Sequence, residues 1–412
     1  MRVPLVVQKF GGTSVADPER IKAVADHIAR TRRRGEDVVA VVSAMGKETD
    51  DLLHVAALVS DTRPGREMDM LITAGERKAM ALVSMALADI GCPAASFTGS
   101  QAGILTDTTH TKARIVDLRV DRLREALAAG ITPVVGGAQG VSTTRDITFL
   151  GRGGSDTTAV ALAGALDADG CELYTDVPGV FTADPRVVPD ARRMAKISFD
   201  EMLEMCACGC PKPEMRAVEF ARTHGVRLHV RSSFTWEPGT WIQQEDESME
   251  QAIISAVIHD ASEVKVTVTR MPDHPGIAAA LFRSLADRNV NVDMIVQNSA
   301  LDGTTDISFT VPKADLAVGL DVCRSQAANL AGVEVLSDSG IAKVSLIGAG
   351  MKSNPGVAAT MFEVLAKEDV NIEMISTSPI RISCVVRADR VEDVVLALHG
   401  AFGLGDRPVT VL

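Results

Sequence analysis

Residues His274–Ile295, "HPGIAAALFRSLADRNVNVDMI", match residues Asn354–Ile375, "NPGVAATMFEVLAKEDVNIEMI", at a constant offset of 80, with Pro275 falling on Pro355. A duplication of this kind binds both copies to one fold, and each copy must close around a small core of its own. Each reads strand, Pro-Gly loop, helix, strand, strand, helix, which predicts two β-α-β-β-α-β units. The Pro-Gly of each copy opens a helix N-terminus, where backbone N–H groups free of helical partners can receive a carboxylate. Two such modules behind a larger domain read as sensors of a small amphiphilic acid.

Ahead of the repeat the pattern alternates β-rich runs with helix-period runs. Strands are predicted at Val3–Gln8, Val38–Ser43, Ala94–Phe97, Ile131–Val135, Cys171–Asp176 and Arg227–Arg231, and helices at Pro18–Arg33, Met68–Ile90, Asp121–Ala129 and Thr157–Leu166. Alternation of this kind argues for an α/β domain whose largely parallel sheet is covered on both faces. The stretch "FTWEPGTWIQQEDESMEQ", Phe234–Gln251, breaks the rhythm with Pro, Gly and acids and is expected to be a linker. The expected division is therefore 1–234 for the α/β domain, 235–251 for the linker, and 252–338 and 339–412 for the two modules.

The net charge of −12 argues against nucleic acid, since the one basic cluster, "RTRRR" at Arg30–Arg34, ends a predicted helix where cations suit the dipole. No apolar run approaches the roughly 20 residues of a membrane span, and "MRVPLVV" is too short for a signal segment. Seven scattered cysteines show no secreted disulfide framework, so a cytoplasmic location is expected. Cys206, Cys208 and Cys210 form C-x-C-x-C, whereas metal sites usually pair cysteines as C-x₂-C; no residue is singled out as a metal ligand.

Four motifs carry possible chemistry. In "LVVQKFGGTSV" a strand ends on Lys9, with Gly11 and Gly12 placed to let N–H groups face a phosphate; the lysine precedes the glycines, unlike a P-loop. A plain turn would look the same. In "TFLGRGGSDTTAVALAGAL", Ser155 or Asp156 could be an N-cap, but a cap does not require Arg152, a residue suited to forking a carboxylate. "YTDVPGVFTADPR" sets Asp176, Asp184 and Arg186 around a turn, and "TAGERKAMALV" places Glu76 early in a long helix, where the dipole alone would favour it.

Taken together and in order, "KFGGTS", "VSAMG…TD", "TAGER", "FTGSQAG", "TRDIT…LGRGGSDTTA", "TDVPGVFTADPR" and "HVRSSF", followed by the repeat, resemble the aspartate kinases of the amino-acid-kinase family. The resemblance spans nearly the whole chain, and is to the monofunctional bacterial type, with tandem ACT modules and no fused dehydrogenase domain. It implies a carbamate-kinase-like three-layer αβα sandwich with a mostly parallel sheet, plus two ferredoxin-like ACT domains. The implied activity is transfer of the ATP γ-phosphoryl group to the side-chain carboxylate of L-aspartate, the first step toward lysine, threonine and methionine, with Mg²⁺ bridging phosphates.

The resemblance also implies roles. Lys9 neutralises the phosphoryl oxygens and Asp156 orients it, while Phe10, Gly11, Gly12, Gly153 and Gly154 complete the phosphate cradle. Arg152 clamps the substrate α-carboxylate, Glu76 takes its α-ammonium, Thr49 contacts the carboxyl end, and Ser155 assists. Thr175, Asp176, Phe181, Asp184, Arg186 and Lys212 line the ATP side. Asp273, Asn291, Asp293, Gln297 and Asn298, with Asn354, Asn371 and Ile372 in the second copy, fall at the effector pockets, and lysine and threonine are the implied effectors. ACT modules of this family pair between chains, which implies a homo-oligomer, dimer or higher, and Met249 stands where related proteins start a small ACT-only subunit.

The chain departs from the family pattern at several points. Ala138 and Phe181 replace aromatic and tyrosine positions, and Phe149 is an added aromatic. In "CGCPKPEMR", Pro211 falls on the family lysine with Lys212 one place late, and two prolines should end any helix crossing this stretch. The loop "SALDGTTD" after Asn298 is shorter than usual, which bears on effector sensitivity. These departures leave room for two other readings: a specialised paralogue acting on a related amino-acid carboxylate, or a catalytically silent effector-binding protein.

Overall fold

The computed structural model describes residues 3–245, 253–299, 302–328, 330, 332–354 and 356–405. Met249, Pro355 and part of the "SALDGTTD" loop therefore lie outside the described residues. The described residues within Met1–Val180, Arg193–Ala207 and Pro211–Met249 form one compact unit, and those within Phe181–Arg192, Cys208–Cys210 and Glu250–Leu412 form a second.

The first unit carries strands β1 (Leu5–Phe10), β2 (Asp37–Val42), β3 (Ala94–Phe97), β4 (Ile104–Thr106), β5 (Ile115–Leu118), β6 (Thr132–Gly136), β7 (Gln139–Ser142), β8 (Ile147–Phe149), β9 (Gly170–Thr175), β10 (Lys196–Ser198), β11 (Leu228–Ser232) and β12 (Thr240–Gln243). Its helices are α1 (Pro18–Arg33), α2 (Glu48–Val59), α3 (Gly65–Asp89), α4 (Asp121–Ala128), α5 (Gly154–Ala165), α6 (Phe199–Ala207) and α7 (Met215–His224). The main sheet runs β10-β12-β11-β9-β1-β2-β6-β3 and is parallel except where β11 meets β12. The predicted strands and helices of this unit fall within a few residues of those observed.

Apolar residues from α1 and α3, among them Ile28, Val83 and Leu87, cover one face of the sheet together with Phe10 and Tyr174. Helix α5 covers the other face and is itself backed by α7. That position explains its composition: every residue from Gly154 to Ala163 is buried, so small and apolar side chains surround it instead of forming one stripe. Strand β1 lies between β9 and β2, so the chain turns to opposite sides of it. Open α/β sheets bind ligands at the carboxyl end of such a switch point, which is where Lys9 sits.

Two features depart from expectation. A second sheet, β5-β4-β7-β8, has strands of only three or four residues, too short to announce a period. Strand β12 lies inside the stretch expected to be linker: it pairs antiparallel with β11 and parallel with β10. Helices α6 and α7 stop and start on either side of Pro211 and Pro213, as the two prolines require.

The second unit contains β13 (Ala256–Asp260), β14 (Glu263–Pro272), α8 (Ile277–Asp287), β15 (Ile295–Ser299), β16 (Thr304–Pro312), α9 (Leu316–Ala327), β17 (Glu334–Asp338), β18 (Ile341–Ile347), α10 (Val357–Lys367), β19 (Met374–Ser378), β20 (Arg381–Arg387) and α11 (Val391–Ala401). Helices α8 and α10 keep the sequence offset, and each starts after a left-handed glycine, Gly276 or Gly356. The first module is complete in itself, with strand order β15-β16-β14-β17. The second is not sequential. Its order is β13-β18-β20-β19, so its outer strand comes from the segment that precedes the first module. The first module is thus inserted within the second, and residues Ala256–Asp260, expected in the first, serve the second.

Candidate functional site

Helix α5 begins at Gly153, whose φ of 73° is left-handed and whose added Cβ would stand 2.1 Å from Glu214 Cγ. Glycine is required there on both counts. The turn places Ser155 and Asp156 in the first helical turn, facing the end of β1. Lys9 Nζ meets Asp156 Oδ1 at 2.5 Å, with the two residues only 5% and 3% exposed. Burial alone would push the Asp156 carboxyl up. The charges of Lys9 and Lys212, with the Lys9 hydrogen bond, outweigh it and hold the group below the ordinary carboxylate range.

Opposite α5 the chain after β1 makes a tight turn from Gly12 to Val15. A Cβ on Gly12 would press on the carbonyl oxygens of Ala44, 2.9 Å away, and Gly46, 3.1 Å away, so the two loops lie backbone to backbone. The Gly46 N–H donates to Gly12 O at 3.0 Å. Ser233 ties the remaining motifs in: its hydroxyl donates to Ser14 Oγ at 2.8 Å and its N–H to Thr175 O at 2.9 Å.

The result is a cavity of about 260 Å³ lined by Lys9, Gly11, Gly12, Thr13, Ser43, Gly46, Gly153, Ser155, Asp156, Thr175, Asp176 and Lys212. Two ammonium groups, the N-terminus of a buried helix and the leading N–H groups of a tight turn converge there. Such a wall suits an anionic polyphosphate. Lys212 stands in this wall although it is one residue late in sequence. Behind it, Glu214 accepts the Ala217 N–H at 3.1 Å and so caps α7, and burial raises its carboxyl above the ordinary range.

Several predicted residues are placed differently. The Phe10 ring is fully buried and stacks on Tyr174, centroids 5.0 Å apart, so any phosphate contact from Phe10 is limited to its backbone. The Gly11 N–H is already donated to Tyr174 O at 3.1 Å, which leaves Gly12 and Thr13 as the donors of that turn. Gly154 is buried in the first turn of α5. Arg152 is exposed on the turn before α5, and Thr49 is half-buried on α2. Phe181, Asp184 and Arg186 belong to the second unit, where Arg186 grips Asp184 through Nε at 3.0 Å and Nη2 at 2.6 Å.

Glu76 is 3% exposed on α3. Burial is the main cause that pushes its carboxyl up to about 7, and the neighbouring Glu48 adds to it, against an opposing hydrogen bond from the Ala44 N–H. Phe149 pairs across from Gln139, next to Ala138, so the lost and the gained aromatic positions are neighbours.

In the second unit, Gln297 and Asn298 are exposed on edge strand β15, and Asp273, Asn291 and Asn371 are exposed in loops. Asn354 donates to Gly350 O at 2.8 Å, and Ile372 packs on the second module's core. Asp293 is engaged: it accepts from Lys343 Nζ at 2.5 Å. Sequence reasoning missed Thr13, Ser43 and Gly46, although all three lie in or beside quoted motifs.

Residues 4–232 match the amino acid kinase family model, and residues 264–326 and 344–402 match an ACT domain model. An aspartokinase of Mycolicibacterium smegmatis is 54% identical over 406 residues, covering 97% of this chain and 96% of that one. One from Pseudomonas aeruginosa is 51% identical over 402 residues, covering 97% and 98%. The chain belongs to the aspartokinase family. Its enzyme class is that of an aspartate kinase, a phosphotransferase with a carboxyl group as acceptor. The crystal structure of Escherichia coli aspartokinase III in complex with aspartate and ADP, an R-state, is 26% identical with a TM-score of 0.81, covering 96% of this chain and 99% of that one. The T-state of the same aspartokinase, with lysine and aspartate, has a TM-score of 0.74 at 26% identity, covering 97% and 99%. No described helix is long and apolar enough to cross a membrane.

Proposed function

We propose that this aspartokinase transfers the γ-phosphoryl group of ATP to the side-chain carboxylate of L-aspartate, giving 4-phospho-L-aspartate. The observation that carries this reading is the buried Lys9–Asp156 pair at the wall of a pocket that also holds Lys212, the N-terminus of α5 and the Gly12–Thr13 turn. An acceptor carboxylate is ionised at neutral pH, so the reaction needs positioning and charge neutralisation rather than a general base. Lys9, held by Asp156, places its charge where three phosphoryl oxygens would gather. Gly12, Thr13 and the leading N–H groups of α5 fit the nucleotide phosphates, with Lys212 as the second ammonium. Mg²⁺ when bound supplies further positive charge to those phosphates.

Glu76 and Arg152 are proposed for the two ends of the amino-acid head group, with Thr49 and Ser155 toward the reacting carboxylate. Thr175 and Asp176 are proposed for the nucleotide side, where Thr175 Oγ1 donates to Asp176 Oδ1 at 2.8 Å. Phe181, Asp184 and Arg186 are proposed for the same side on the resemblance alone. The ACT modules are proposed to bind lysine and threonine as feedback effectors, at pockets that include Asp273, Gln297 and Asn298, in a homo-oligomer. The testing experiment is ATP- and Mg²⁺-dependent formation of aspartyl hydroxamate from L-aspartate and hydroxylamine. A clear rate is expected. A folded protein without it would redirect the reading to another amino-acid acceptor.

A further inference from the structure

Helices α2 and α3 bring two acids, Glu48 and Glu76, close enough for the charge of one to act on the other. Glu48 lies in the first turn of α2 and reaches across Gly75 of α3: a Cβ on Gly75 would stand 3.6 Å from both Cγ and Cδ of Glu48. The close contact at Gly75 is with Ala44, whose Cβ would stand 2.7 Å from an added one, so the loop after β2 packs tightly on α3 and the Glu48 side chain lies in ordinary contact with the residue that precedes Glu76. Lys78 Nζ holds Glu48 Oε1 at 2.6 Å, while Glu48 Oε2 is buried without a hydrogen-bond partner. Glu76 Oε2 is likewise buried without a hydrogen-bond partner.

Two carboxylates that each keep an oxygen unsatisfied away from water are costly unless a cation comes to them. Of the protein's own cations here, Lys78 is spent on Glu48 Oε1, and Arg77, which acts on Glu76 through its charge, makes no hydrogen bond to it and turns its Nη2 to Thr73 Oγ1. What is left suits an ammonium group, which offers three N–H donors and accepts none. We propose that Glu48 is a specificity-determining residue, forming with Glu76 a two-carboxylate receptor for the ammonium group of the acceptor amino acid. This rests on the reading of Glu76 as part of the acceptor site. It also gives a physical reason for rejecting a dicarboxylic acid that lacks the amine, because both acids would then stay unpaired.

The test is steady-state kinetics of the full-length chain with Glu48→Gln, which keeps the shape and removes the charge. Acceptors would be L-aspartate and succinate, the same carbon chain without the amine. The KM for L-aspartate should rise about tenfold, as expected for loss of one charge-assisted contact. The KM for ATP should hold steady, and the preference for L-aspartate over succinate should fall with the rise. A second variant, Lys78→Met, breaks the Glu48–Lys78 bridge and leaves the carboxylate, so its KM for L-aspartate should stay at the parent value. An unchanged KM in Glu48→Gln overturns the proposal. So does an equal rise in Lys78→Met, which would make the bridge structural, or a matching rise in the KM for ATP. A parent protein with no L-aspartate-dependent turnover would overturn the underlying reading too, and it is measured before any substitution is made.

Discussion

Among the described residues two lysines are buried, Lys9 and Lys343, and they do different things. Lys9 meets one carboxylate, Asp156, and its ammonium lines a cavity. Lys343, on β18 of the second module, is 1% exposed and meets two acids of the first module, Asp293 at 2.5 Å and Glu263 at 3.3 Å. Burial would lower the Lys343 ammonium, but the two acids outweigh it and keep it above its ordinary value. A second cross-module pair joins Lys265 to Glu373, which is the repeat counterpart of Asp293. Met294 and Met374, also counterparts, pack in one small apolar cluster with Ile341 and Val385. One lysine is thus left open toward an incoming anion, and the other closes a joint between modules. What separates the catalytic use proposed for Lys9 from the structural use of Lys343 is access to the ion pair, since both are buried lysines held by acids.

The contrast can be broken most sharply at Lys9. Lys9→Ala should reduce hydroxamate formation per folded molecule by about a thousandfold or more, the scale of losing a main transition-state charge, and should also lower the unfolding midpoint, because Asp156 is left buried with only the charge of Lys212 to support it. Retention of substantial turnover would end the distinction. At Lys343 the loss should fall on stability alone. Lys343→Ala leaves Asp293 and Glu263 facing each other, and should cost about 3–5 kcal/mol of stability in denaturant titration. Turnover per folded molecule should hold, and neutralising both acids in the same chain should recover most of the loss.

The smallest effect concerns Glu76, the buried acid whose Oε2 lacks a partner. The groups that bear on it are Glu48 from α2, the Ala44 N–H from the loop after β2, and Arg77 from its own helix. Only the ionised carboxylate can hold an ammonium. Because the group is raised to about 7, kcat/KM for L-aspartate should fall as pH drops through about 7, where an ordinary glutamate would stay ionised to near 4.5. A pH profile flat from 8 down to about 5 would remove Glu76 from that role.

How much of this was legible in the sequence depended on length of signal and on which partners a segment finds. Helix α1 and strand β3 lie where the pattern put them, because α1 carries an amphipathic stripe with an Asp17 cap and β3 begins right after Pro93. The switch point at Lys9 was legible for the same reason. The strands β4, β5, β7 and β8 were not, since three or four residues hold no period. Strand β12 hid among Pro, Gly and acids because its existence depends on β11, ten residues upstream. Within the site, the glycine-lysine and Ser-Asp motifs were legible as motifs. That Gly11 spends its N–H on Tyr174, or that Gly75 makes room for Ala44, depends on tertiary contacts. Glu48 in particular looks like any acid that a helix dipole welcomes.

The insertion of one module inside the other has a consequence for how such a gene can be rearranged. A recombination breakpoint anywhere between Asp260 and Ile341 would separate β13 from the β18 strand it pairs with. The inner module could be exchanged between genes as a cassette, because its four strands are contiguous in the chain. The outer one can be inherited only together with its insert, or with something else that brings both of its ends back to the same sheet.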